Sequence, residues 1–225
     1  QLIGEQFSKK EKLIPPNLQA LRMGYDYARE QLSGICGLSV KRSDAVGDRI
    51  FINGNDAAGL GCVYGGATVA AWYPITPSTS LAEAFGAHCQ KHRIDTESKT
   101  NKFAIIQAED EIAAIGVVIG AGWNGARAFT ATSGPGISLM QEFLGLAYFA
   151  EIPAIIFDVQ RGGPSTGMPT RTQQSDILIC AYASHGDTKH IVLFPEDPRE
   201  LFEFAAISFD LAERLQTPIF VLEDL

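Results

Sequence analysis

Phe103-Ala104-Ile105-Ile106-Gln107-Ala108-Glu109-Asp110-Glu111-Ile112-Ala113-Ala114-Ile115-Gly116-Val117-Val118 changes character at its centre. Phe103–Gln107 is an apolar run of strand length. After three acids comes a longer Gly- and Ala-rich segment, Glu111–Gly122, of helical length. A strand that passes through a tight acidic turn into a helix is half of a βαβ unit, and the same alternation recurs on both sides of it. Further strands are predicted at Arg49–Ile52, Val69–Trp72, Ala128–Thr132, Ala154–Val159, Ile191–Phe194 and Ile219–Leu222. Helices are predicted near Ala57–Gly65, Ser80–Lys91, Ile137–Ala150, Gln174–Ala181 and Pro198–Leu215. The fold class expected is α/β, a parallel sheet flanked by helices on both faces, because strands covered on both sides read as continuous apolar runs. Ligands in such sheets bind at the carboxyl ends of the strands, so the chemistry belongs in the turns that follow them.

The bounds agree with this. A chain of 225 residues with 46% hydrophobic content suffices for one well-buried domain and a short extra segment. A formal charge of −8 argues against gripping nucleic acid or anionic lipid through a broad positive face, so anionic substrates must be met locally. No apolar run approaches the length of a membrane span, and Gln1–Lys12 lacks the layout of a signal peptide, so a cytoplasmic location is expected. Cys36, Cys62, Cys89 and Cys180 are widely separated and form no ligand cluster; they read as isolated buried thiols. Near the start, Asn17 reads as the N-cap of a helix whose stripe is Leu18, Leu21, Tyr25, Ala28 and Leu32. Residues 1–45 are expected to be the tail of a preceding domain with a linker helix. The main domain is expected over residues 46–225, truncated after the acidic pair Glu223-Asp224.

Four turns carry the chemistry. In Tyr73-Pro74-Ile75-Thr76-Pro77-Ser78-Thr79-Ser80 two prolines fix the backbone at a helix start. The ordinary reading is a capped turn; the functional one presents Thr76 and backbone N–H groups to a carboxylate. For Glu109 and Asp110 the solvated, dipole-stabilising reading is favoured. Glu111 differs, since the apolar residues after it imply burial, which raises a carboxyl's pKa and permits proton sharing. Ser133-Gly134-Pro135-Gly136 could cradle a phosphate, but Gly-Pro-Gly is a common breaker. The long loop after Val159 holds Arg161, able to fork onto a carboxylate, and Arg171, which is equally well plain surface.

Taken in order and spacing, YPITPSTS, AEDEIAAIG, ARAFTATSGPG and QRGGPSTGMPTRTQQSD resemble the α chain of 2-oxoacid:ferredoxin oxidoreductases, from about Asn53 to Asp224. The GGPSTGMPT loop is similar to the 2-oxoglutarate type, and the opening segment resembles the junction in forms with a γ domain fused ahead. The resemblance implies the pyrimidine-type domain of a thiamine-diphosphate-binding fold, with Tyr73, Pro74, Ile75 and Glu111 at the cofactor. Glu111 matches the glutamate that hydrogen-bonds N1′ of the aminopyrimidine. Thr76 and Arg161 match the residues that bind the substrate's 1-carboxylate, and Ser165, Thr166, Thr170 and Arg171 are candidates for a distal carboxylate. No GDG followed by a distant Asn is present, so Mg²⁺, the diphosphate site and a [4Fe-4S] cluster are expected on a partner β subunit, in an oligomer. The reaction implied is oxidative decarboxylation of a 2-oxo acid to its acyl-CoA, with ferredoxin as electron acceptor and coenzyme A as acyl acceptor. Another thiamine-dependent decarboxylase or transketolase-like enzyme, or a non-catalytic assembly module, remains an alternative.

Overall fold

A computed structural model of the chain describes residues 1–32, 34 and 37–224. Two compact units emerge, Gln1–Ile50 and Phe51–Leu225. The first holds α1 (Leu2–Gln6), a 3₁₀ turn (Glu11–Leu13) and α2 (Ile14–Gln31). Asn17 is not the N-cap: α2 begins at Ile14, because prolines fit a first helical turn, whose N–H groups have no partner in the helix. Asn17 instead donates from Nδ2 to the carbonyl of Leu13 at 2.7 Å. No residue of α2 is buried.

The second unit runs α3 (Gly54–Tyr64), β1 (Val69–Trp72), α4 (Thr79–His92), β2 (Ala104–Gln107), α5 (Glu111–Trp123), β3 (Ala128–Thr132), α6 (Gly134–Leu139), α7 (Gln141–Phe149), β4 (Ala154–Gln160), α8 (Ile177–Ala181), β5 (Ile191–Leu193), α9 (Pro198–Leu215) and β6 (Pro218–Asp224). Among the described residues one six-stranded sheet forms in the order β2-β1-β3-β4-β6-β5, with every pairing parallel. Arg49–Ile52 is not a strand. The Asn53 side chain accepts the N–H of Asp56 at 2.9 Å and opens α3 directly, leaving Ile50 and Phe51 exposed. The helix expected over 137–150 is two helices that meet at Met140.

The period-two alternation of β4 sorts the core. Ile155 and Phe157 face one cluster with Phe85 of α4 and Leu201 and Phe209 of α9, and α3 adds Ala58 and Cys62. Ile156 faces the other, with Ile115 and Val118 of α5, Ile137 of α6, Leu144 of α7 and Cys180 of α8. Cys62, Cys89 and Cys180 are buried free thiols, as expected; Cys36 lies outside the described residues. No helix among the described residues is long and apolar enough to cross a membrane.

The topology locates the crevice. From β1 the chain passes to β2 on one side, then returns to place β3 on the other. The helix after β1 packs on the α3 and α9 face, and the helix after β3 on the opposite one. Loops leaving two adjacent strands in opposite directions open a ligand crevice between their carboxyl ends. β1 and β3 pair only through Val69–Ala128 and Ala70–Phe129.

Candidate active site

Glu111 opens α5. Asp110 before it is the N-cap, its Oδ1 accepting the N–H of Ala113 at 2.7 Å, and Glu109 and Asp110 are both exposed. Glu111 points inward and is only 6% exposed. Its carboxyl makes no hydrogen bond or ion pair with any described residue. The side chain as a whole is buried while its carboxyl oxygens keep some contact with solvent, so a ligand entering the crevice can reach them.

Gly134-Pro135-Gly136 has a steric role beside it. A Cβ on Gly136 would sit 1.9 Å from Thr132 Oγ1 and 2.9 Å from Glu111 Cγ. The turn therefore seats Glu111 against bare backbone, which accounts for glycine there. For the function proposed below, Gly136→Ala is expected to lower turnover by about 10²-fold, the loss typical of an ångström-scale misplacement. Gly120→Ala, whose Cβ meets nothing within 4 Å, serves as the control. Equal steady-state rates for the two variants would contradict this role.

The hydroxyls of the β1–α4 turn divide by partner. Ser78 and Thr79 donate to the carbonyl of Ile75 at 3.0 and 3.2 Å, and Ser80 accepts from Asn55 Nδ2 at 2.6 Å. These hydroxyls stiffen the turn, as its ordinary reading requires. Thr76 is exposed, and its hydroxyl has no partner among the described residues. Tyr73 and Pro74 are exposed beside it and Ile75 is half-buried.

Arg161 ties this turn to the long loop. It is 5% exposed; Nη1 donates to the carbonyl of Thr76 at 2.6 Å and Nη2 to that of Thr166 at 2.7 Å. Nε is buried without a partner. The loop itself is pinned: the Gly162 amide donates to Arg171 O, and the Met168 amide to Gly162 O, each at 2.7 Å. Gly167 has φ +62, and a Cβ there would fall 1.7 Å from Gly162 O, so only glycine fits. A cavity of about 640 Å³ opens here, lined by Arg161, Ser165, Thr166, Gln173, Ser175 and Asp176 among others. The structure thus gathers Thr76, Arg161, Ser165 and Thr166. Thr170 and Arg171 are exposed and do not line the cavity.

Sequence reasoning missed Asp158 and Asp176, both buried, of which Asp176 lines this cavity. Asp158 had a visible signal, one acid within the otherwise apolar Ala-Ile-Ile-Phe-Asp-Val of β4. It also missed Glu223 as a buried group; burial, then the neighbouring Asp224 charge, pushes its carboxyl up to about 8.

A switch-point crevice bordered by Glu111, the Thr76 hydroxyl and the buried Arg161 is the kind of site that an open α/β sheet offers a polar ligand. The chain belongs to the family described as pyruvate flavodoxin/ferredoxin oxidoreductase, thiamine diphosphate-binding, which matches residues 60–225. It is 45% identical over 174 residues to the 2-oxoglutarate synthase subunit KorA of Methanocaldococcus jannaschii, covering 77% of this chain and 45% of that protein. It is 48% identical over 181 residues to 2-oxoacid:ferredoxin oxidoreductase 1, subunit alpha, of Aeropyrum pernix, covering 79% and 28%. Among solved structures it resembles 2-oxoglutarate:ferredoxin oxidoreductase from Magnetococcus marinus, determined with 2-oxoglutarate, coenzyme A and succinyl-CoA bound. The TM-score is 0.82 at 40% identity, covering 99% of this chain and 37% of that one. The chain spans less than half the length of these relatives.

Proposed function

We propose that residues 46–225 form the pyrimidine-binding catalytic domain of a cytoplasmic 2-oxoacid:ferredoxin oxidoreductase that acts on 2-oxoglutarate, with residues 1–45 a linker from a preceding domain. The observation that carries this reading is Glu111, buried and unpartnered where β2 passes into α5 and seated against Gly136. A carboxyl so placed suits the N1′ nitrogen of an aminopyrimidine, with which it can share a proton. The bound cofactor supplies the carbon chemistry of decarboxylation. This chain's residues orient and exclude water: Tyr73, Pro74 and Ile75 flank the ring, and Thr76 and Arg161 meet the substrate's 1-carboxylate. A partner β subunit supplies Mg²⁺, the diphosphate site and the [4Fe-4S] cluster, coenzyme A takes the acyl group, and ferredoxin takes the electrons. The ligands bound in the Magnetococcus structure and the 2-oxoglutarate synthase relatives favour 2-oxoglutarate over pyruvate.

The test is coenzyme-A-dependent reduction of a viologen dye by the complete complex with 2-oxoglutarate, 2-oxobutyrate, pyruvate and branched 2-oxo acids. Highest kcat/KM with 2-oxoglutarate is expected; no reduction with any of them would end the reading. Arg171 is exposed beside the cavity, has no side-chain partner among the described residues and is the candidate for the distal carboxylate. Arg171→Ala is expected to raise KM for 2-oxoglutarate about tenfold, the scale of one charge-assisted hydrogen bond, and to leave 2-oxobutyrate unchanged. Parallel losses on both substrates would remove Arg171 from the substrate site.

A further inference from the structure

All seven residues of β4 are buried, and Asp158 is fully so. Alternation points its side chain to the face shared by Ile156 and Gln160, where α8 and the segment before it lie. Asp176, immediately before α8, is 9% exposed and faces it. Cys180 Sγ lies 3.7 Å from Asp158 Oδ2, Ser175 Oγ donates to Asp176 Oδ1 at 3.3 Å, and the Asp176 amide donates to Gln160 Oε1 at 3.3 Å. With both carboxyls ionised, Asp158 Oδ1 and Asp176 Oδ2 are left without a donor. One proton between them satisfies both, and two like charges this deep cannot coexist cheaply.

The environment assigns that proton. Burial, followed by the Asp176 charge, raises the Asp158 carboxyl well above its ordinary range, and the Glu223 charge adds to this. Burial also raises Asp176, but Ser175, the hydrogen bond from Asp158, the Arg161 charge and the Gly134 amide all oppose it. Cys180 is held as a neutral thiol, chiefly by burial. Asp158 thus carries the proton and Asp176 the charge.

Gly134 shows what the charge does. A Cβ there would lie 2.6 Å from Asp176 Oδ1. The Gly134–Gly136 turn is held between two carboxyls, Asp176 against its first glycine and Glu111 against its last. We propose that Asp158 and Asp176 are positioning residues that share one proton, through which the charge on Asp176 fixes the Gly134–Gly136 turn that seats Glu111 and steadies Arg161 at the mouth of the cavity. The catalytic consequence rests on the function proposed above; the shared proton does not.

The test uses the complete complex with 2-oxoglutarate and the variants Asp158→Asn and Asp176→Asn. An asparagine at 158 is a permanent neutral donor and reproduces the protonated acid, so kcat is expected within about threefold of wild type. At 176 it removes the charge and an acceptor, and kcat is expected to fall at least about tenfold with a raised KM, as Glu111 and Arg161 lose their seat. Infrared spectroscopy gives an independent readout. Wild type should retain an un-ionised carboxyl band at pH values above the point, about 8, where Glu223 ionises. That band should be absent from Asp158→Asn. A band unaffected by Asp158→Asn, or equal losses of kcat in the two variants, would overturn the proposal. If the wild-type complex turns over no 2-oxo acid, the proposed function fails while the infrared comparison still decides the pair, and it does so without needing Asp176→Asn to fold.

Discussion

Glu111→Gln is expected to lower kcat of the assembled enzyme by about 10²–10⁴-fold, the range general acid–base groups supply, with unfolding unchanged. The substitution is isosteric, so the contact with Gly136 survives and no cavity opens. The amide still forms a hydrogen bond but cannot give or receive the proton that a carboxyl exchanges with a ring nitrogen. KM for the 2-oxo acid should move little, because the proposed function gives the substrate contacts to Thr76 and Arg161 and not to Glu111. Glu109→Gln, two residues earlier and exposed, should be silent. Steady-state kinetics on the three proteins decides the matter: an active Glu111→Gln enzyme would leave the buried carboxyl without a chemical role.

The second large effect concerns stability. Phe129, 1% exposed on β3, stands at the centre of the core on the α3, α4 and α9 face. Its ring meets Phe85, Phe157 and Phe209 edge-on, with centroids 5.0, 5.6 and 6.5 Å away. Three rings from three different elements converge on it, so neighbours cannot collapse into the space without breaking their own contacts. Phe129→Ala should destabilise the chain by about 3–5 kcal/mol, a large share of an ordinary domain's stability of about 5–15 kcal/mol. Urea unfolding should show a lower midpoint at unchanged slope. A loss under about 1 kcal/mol would mean that the core is looser than its ring geometry implies.

Most of the sheet was legible because its signals are local. β1, β3, β4 and β6 are apolar runs broken by Gly-, Pro- or Thr-containing turns, and reading those patterns needs no knowledge of neighbours. Arg49–Ile52 misled because an apolar run is necessary for a strand but not sufficient; Asn53, one residue later, offers a helix cap that the local pattern underweighted. Asn17 misled in the opposite way, since two prolines read as a break when they begin a helix. Of the proposed site, Glu111, Thr76 and Arg161 stand out in the sequence by their flanking residues and the family resemblance. That Arg161 grips the Thr76 carbonyl, 85 residues away, could not be read there. Nor could the pairing of Asp158 with Asp176, which depends on α8 lying against β4 and not on any spacing.

The Arg161 fork has neighbours already in hand. Nη1 and Nη2 each give one N–H to the carbonyls of Thr76 and Thr166, and Nε, buried, has no partner among the described residues. With two of its five N–H groups spent on the chain's own carbonyls, the guanidinium meets an arriving anion with its orientation already fixed. Occupancy and loop order then favour each other by reciprocal linkage: whatever holds the 161–176 loop against Arg161 presents the remaining donors, and an anion that takes them steadies both loops at once.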